Sequence, residues 1–298
     1  MKHSYKLDSI SYEKSHENLL SVEAWLNSKG IVTENTRFKK IKENVKAIHE
    51  SLVGHSLGSL ITEKGNEELW FSLLEATPFE SIYEAFKQLK DHEIPKRKLT
   101  DILSGPFLPK EEESGTSNVN NRNYLFELEL ASKLKSKGIN ITGFDDIKFE
   151  FESVDFTIEC KRIFSDRTVR ANIEKAYEQL QKQMATDEQK RGIIALSIEK
   201  IFQIDHLYFE ATKAETETRI NQYIDSFRKD NRQYWEKIID IRVIGIFIIL
   251  KFIVIIEPQH ILTHGFQLAV VPLCSPAHLQ YRDYDMLMAL GNKLANNA

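Results

Sequence analysis

The stretch from Asp146 to Arg162 constrains the fold of this chain more than any other. It opens on an acid, alternates apolar and polar residues through Ile147, Phe149 and Phe151, turns, and returns as Phe156-Thr-Ile-Glu-Cys-Lys-Arg162. Alternation with a period of two is the mark of a strand with one covered face. Successive strand side chains point to opposite faces, so Glu159 and Lys161 share one face while Ile158, Cys160 and Arg162 share the other. Antiparallel pairing across a turn near Glu152 to Asp155 brings Asp146 back beside Glu159 and Lys161. Two carboxylates and an ammonium then meet at one end of a sheet. Such a group can hold a hard divalent cation through oxygen and set a positive charge beside a water or a phosphate.

The 298 residues suffice for one large domain or two ordinary ones. A 42% hydrophobic and 28% charged composition is that of a soluble globular protein, not a disordered one. Residues 1–8 hold no apolar core of a leader, so no secretory signal is expected. The most apolar stretch, Val243 to Ile256, is shorter than the roughly 20 residues a bilayer helix needs, and it contains Lys251. Its β-branched residues predict a buried strand. Two cysteines, Cys160 and Cys274, exclude a disulfide framework and fit a reducing, cytoplasmic setting. The net charge of −4 means that any affinity for nucleic acid must come from local patches.

Residues 1–117 predict a helical region. Apolar residues recur at three- and four-residue spacing over 18–26, 38–52, 67–75 and 81–90, with Gly30, Gly54, Gly58, Gly65 and Pro78 as punctuation. Arg37, Lys39, Lys40, Lys42 and Lys46 crowd one of these helices, and Lys96-Arg97-Lys98 follows Pro95. A solvated face explains both clusters, and phosphate contact is the sharper alternative. Gly105 to Asn121, rich in Pro, Gly, Ser, Asn and Glu, reads as a linker or long loop. Residues 118–298 then alternate: a helix over 122–138, strands over 147–151 and 156–163, a helix over 171–186, a strand over 192–198, a long helix over 211–238, strands over 241–256 and 266–272, and a closing helix. This order predicts an α/β fold on a mixed sheet.

The order helix, hairpin, helix, strand, with Asp146 before the first hairpin strand and Glu159-Cys160-Lys161 in the second, resembles the PD-(D/E)xK nuclease superfamily over roughly residues 122–198. Asp145-Asp146 stands where that family has Pro-Asp, so the proline is absent. The resemblance implies a restriction endonuclease-like α-β-β-α-β core. It also implies Mg²⁺ as cofactor, with Mn²⁺ as a substitute, and DNA as substrate. Asp146 and Glu159 become metal ligands, with the Cys160 carbonyl as a further one, and Lys161 becomes the catalytic cation. The helix Arg122-Asn-Tyr-Leu-Phe-Glu127 resembles the family's acid-bearing first helix.

The residues rank the rivals. Glu127 has Leu130, Ala131 and Leu134 at helical spacing and is expected on the core side, where a carboxylate needs a metal or a base. Glu129, with Ser132 and Lys133 at the same spacings, is expected on the solvated side. Asp155 belongs to the turn, and Asp145 to the approach to the strand, so Asp146 is preferred to both. Of Gln179, Gln181 and Gln183 on the following helix, Gln179 is the choice for a residue reaching the phosphate. Cys160 faces the core as a packed side chain. His260 and His264 have zinc-like spacing but no completing pair. The function expected is a metal-dependent deoxyribonuclease, plausible in restriction or defence, with a homodimer or partner protein engaged through the helical region. The alternatives are a repair or recombination nuclease that reads DNA structure, and a non-catalytic binding module.

Overall fold

A computed structural model describes residues 4–9, 12–53, 57–112, 120–256, 261–273 and 281–295. The chain divides into two compact units. One comprises Asp8–Ser132 with Ile261–His264, and the other Met1–Leu7, Lys133–His260 and Gly265–Ala298.

The first unit is helical. It holds α1 (Tyr12–Ser28), α2 (Arg37–Val53), α3 (Leu57–Lys64), α4 (Asn66–Phe86), α5 (Lys96–Asp101) and most of α6 (Asn120–Ser136). Phe38, Ile41, Val45 and Ile48 of α2 are buried at the spacing the sequence predicts. The boundary expected at residue 117 falls instead at Ser132, because α6 belongs largely to this unit. The expected break at Pro78 is also corrected: α4 runs through it. Proline costs an internal hydrogen bond, but Leu73, Leu74, Ala76, Phe79 and Ile82 around it are buried, and their packing holds the helix together.

The second unit is α/β. Its strands are β1 (Ser4–Ser9), β2 (Asn140–Gly143), β3 (Ile147–Phe151), β4 (Val154–Arg162), β5 (Arg191–Ser197), β6 (Tyr208–Ala211), β7 (Val243–Ile256) and β8 (Ile261–Pro272). They lie in the order β1-β8-β7-β5-β4-β3-β2, with β6 also on β7. β2, β3 and β4 pair antiparallel, whereas β4, β5 and β7 pair parallel, as does β6 with β7. The sheet is therefore mixed, as expected, with β1, β2 and β6 added to the predicted strands. Gly138, at φ 75°, closes α6 before the turn into β2.

Helices α7 (Val169–Gln183) and α9 (Lys213–Trp235), with the short α8 (Ile204–Leu207) between them in sequence, cover one face of the sheet. Val169, Ile173, Ala176, Leu180 and Met184 meet Ile194 and Leu196 of β5, and Ile220, Ile224 and Phe227 complete the layer. Each such fully buried aliphatic side chain is worth about 1.5–3 kcal/mol. Gly192 allows this approach, since a Cβ there would lie 3.1 Å from both Leu180 and Met184. Helix α10 (Tyr281–Ala295) packs on β7 from the other face, with Leu287 over Gly245. Val243 to Ile256 is thus an interior strand, which accounts for its apolar character on both sides of Lys251. Among the described residues no helix is long and apolar enough to cross a membrane.

Candidate active site

The hairpin of β3 and β4 closes through Glu152 and Ser153 alone, at φ 51° and 60°. Two successive left-handed residues make the tight turn whose twist matches that of paired strands. The register then runs Phe151↔Val154, Glu150↔Asp155, Phe149↔Phe156, Lys148↔Thr157 and Ile147↔Ile158. One more step sets Asp146 opposite Glu159. The two-residue turn thereby brings Asp146, and neither rival acid, opposite Glu159. Asp155 is exposed beside the turn, four residues from Glu159 along the strand, and Asp145 is exposed as well. Neither takes part in the group at Glu159.

Glu159 faces α7, because its β5 neighbour Ile194 belongs to the α7 layer. It is only 4% exposed. A carboxylate so buried must be paired and hydrogen-bonded. Lys161 Nζ donates to Glu159 Oε1 at 2.6 Å and to Gln179 Oε1 at 2.6 Å. Gln183 Nε2 donates to Asp146 Oδ2 at 2.6 Å and reaches Glu159 Oε2 at 3.4 Å. Asp146, Gln183, Glu159, Lys161 and Gln179 therefore form one continuous chain of contacts. Gln179 and Gln183 stand one helical turn apart, beside the buried stripe of Ala176, Leu180 and Met184 that fixes α7 on the sheet.

Comparison with protein-family models, with curated proteins and with solved structures finds no match. The site therefore has to be argued from its own chemistry.

Asp146 and Glu159 share one amide donor, so their oxygens converge on a common point. This suits a hard cation, and the two carboxylates outnumber the single ammonium beside them. Lysine has three N–H donors, and two of those on Lys161 are taken by Glu159 and Gln179. Cys160 is a buried cysteine outside any disulfide, and its side chain lies on the opposite strand face, as expected. Only its backbone carbonyl is oriented by the strand on which Glu159 and Lys161 stand.

Of the two expectations about α6, the one for Glu127 finds its basic partner and the one for Glu129 needs correction. Glu127 is held in an ion pair with Lys98 at 2.5 Å inside the helical unit. Glu129, expected on the solvated side, is the more buried acid at 2% exposure. The reason is that α6 has no solvated face along this turn: Leu125, Phe126, Leu128, Leu130 and Ala131 are all buried with it. A single apolar stripe was the wrong template for a helix enclosed on several sides. Within the α/β unit, no third His, Cys, Asp or Glu side chain gathers with Asp146 and Glu159 among the described residues.

The remaining candidates have structural roles. Lys39 pairs with Glu34 at 2.8 Å, Lys40 with Glu68 at 2.7 Å, and Lys42 with Glu23. Arg37 is buried against Glu75 and the Ile102 carbonyl. The basic cluster of α2 is mostly neutralised by its own unit. His264 is 8% exposed with Nδ1 3.0 Å from Thr77 Oγ1, and His260 lies outside the described residues. Gln181 bonds Tyr177 Oη instead of the site. Gln183 was passed over in favour of Gln179, although its position four residues further on placed it on the same helix face.

Proposed function

We propose that this chain is a metal-dependent nuclease with a restriction endonuclease-like core, hydrolysing phosphodiester bonds of DNA. The observation that carries the reading is the junction of Asp146, Glu159 and Lys161 at one end of the β3–β4 hairpin, closed from α7 by Gln179 and Gln183. The α6-β3-β4-α7-β5 succession is the second support, with β2 as an addition.

Asp146, Glu159 and the Cys160 carbonyl would hold Mg²⁺ or Mn²⁺. The bound ion supplies Lewis-acid polarisation of a phosphoryl oxygen and lowers the pKa of water. Lys161 is the positively charged side chain of the site: it orients the attacking water and offsets negative charge that develops at phosphorus. Glu159 and Gln179 hold its ammonium from two sides, so its position is fixed before substrate arrives. Removing such a preorganised donor typically costs 10²–10³ in rate, or about 3–4 kcal/mol.

The test is a panel of supercoiled circular, linear and branched DNA, each incubated with the purified chain in Mg²⁺ and again in excess chelator. Cleavage of at least one substrate in Mg²⁺ alone is the expected outcome. Its absence on all three, or its survival in chelator, would contradict the proposal. Cleavage restricted to the branched substrate would point to a structure-reading nuclease.

A further inference from the structure

Gln183 presents its amide to the two carboxylates nitrogen first. Nε2 lies 2.6 Å from Asp146 Oδ2 and 3.4 Å from Glu159 Oε2. Its Oε1 is buried and has no hydrogen-bond partner. A buried carbonyl oxygen without a partner costs on the order of 1–3 kcal/mol, so the arrangement satisfies one end of the amide at the expense of the other. A half-turn about the terminal torsion exchanges the two ends, and that torsion is broad and nearly two-fold. The exchange brings an oxygen to the point that both carboxylates face.

Building on the nuclease reading, we infer that Gln183 is the third side-chain oxygen ligand of the cation, turned into the site when the ion binds. Three observations converge on it. The site has two carboxylates and, among the described residues of the α/β unit, no third acid gathered with them, whereas hard divalent cations require several oxygens. The amide already occupies the shared point between Asp146 and Glu159. Gln183 also ends α7, where the negative end of the helix dipole favours a cation. With no cation, two like charges need a donor between them, and the NH₂ group serves. With a cation present the same NH₂ would oppose it, and the carbonyl end is the one that fits. Gln183 is thus a neutral hydrogen-bond donor between the two carboxylates that becomes a ligand.

Calorimetric titration of Mn²⁺ into the full chain tests this, with Gln183→Met, Gln183→Glu and Asp146→Asn beside wild type and circular dichroism confirming folding. Wild type is expected to bind, and Asp146→Asn to lose binding. Gln183→Met keeps the length without the oxygen and is expected to weaken Mn²⁺ at least about tenfold. Gln183→Glu is expected to bind as tightly or more tightly. If Gln183→Met binds Mn²⁺ as well as wild type, or better, Gln183 merely excludes the ion and the inference falls while the metal site stands. Should Gln183→Met unfold, weaker binding by Gln183→Glu would overturn the inference just as well. No Mn²⁺ binding by wild type would sink the inference and the nuclease reading together.

Discussion

Glu159 sits in a central strand at 4% exposure, where an isolated carboxylate would cost several kcal/mol. Lys161 and Gln183 offset that cost, and they also make Glu159 useful, because the same contacts fix its oxygens toward Asp146. Glu80 is a contrasting buried acid in the helical unit. Burial pushes its carboxyl pKa up, while hydrogen bonds from Ser15 at 2.6 Å and Asn18 at 2.7 Å pull it down without cancelling the effect. A raised folded pKa means that the native state holds the proton more tightly than the unfolded chain. Stability therefore falls as pH rises from the ordinary glutamate range through the folded value, and stays lower above it. Glu80→Gln should remove this loss: thermal melts across pH 4 to 8 are expected to give a flatter profile and a higher melting temperature at neutral pH. An unchanged profile would contradict the assignment. Residues were legible in sequence where strand parity governs them. Glu159 and Lys161 on one face, with Cys160 on the other, follow from the period of two alone. Glu127 and Glu129 were not legible, because their burial depends on how many neighbours enclose α6, and a single helix pattern does not carry that information.

The hairpin is the element that makes the site. Its two-residue turn uses Glu152 and Ser153 in the left-handed region, where side chains other than Gly, Asn and Asp are strained. Both residues are exposed, and Glu152 contributes a backbone carbonyl to Arg282 that any residue would supply. Glu152→Asn with Ser153→Gly should therefore stabilise the chain by about 1 kcal/mol in denaturant unfolding, with the register kept. A loss of stability would mean that these side chains do something the turn geometry does not explain. The turn also separates Asp146 from Asp155. Asp155→Asn is expected to leave Mn²⁺ affinity and cleavage within a few-fold of wild type, and a dead Asp155→Asn would show that the acid pair lies elsewhere. Strands and most helices were legible from periodicity. The continuity of α4 through Pro78 was not, because tertiary burial there outweighs a strong local breaker. The additions β2 and β6 have four residues each, too few for alternation to register, and β1, with six, offers only Tyr5 and Leu7 as apolar positions.

At the scale of the molecule, a helical unit and an α/β unit were foreseen, with the division placed too early. Composition changes at the Gly105–Asn121 stretch, but the contacts of α6 change only after Ser132, and contacts decide where a compact unit ends. Within the helical unit, Arg122 shows the same point. It is 4% exposed, bonded to Glu75 and Glu112 and, at 2.5 Å, to the Phe107 carbonyl. The start of α6 is thereby tied to residues that the sequence suggested were linker. The basic clusters meanwhile spend most of their charge on internal acids, in keeping with the acidic balance of the chain. Within the α/β unit, Glu159 and Lys161 are the pair on which the proposed chemistry depends. The most direct measurement is the conversion of supercoiled plasmid to nicked or linear product in Mg²⁺ by wild type, Glu159→Gln and Lys161→Met, at matched folded concentration verified by circular dichroism. Glu159→Gln keeps side-chain length, Lys161→Met keeps an unbranched chain one atom shorter, and each removes one charge. The account predicts product from wild type and a rate at least about 10²-fold lower from each folded variant. Either variant cutting within a few-fold of wild type would contradict it.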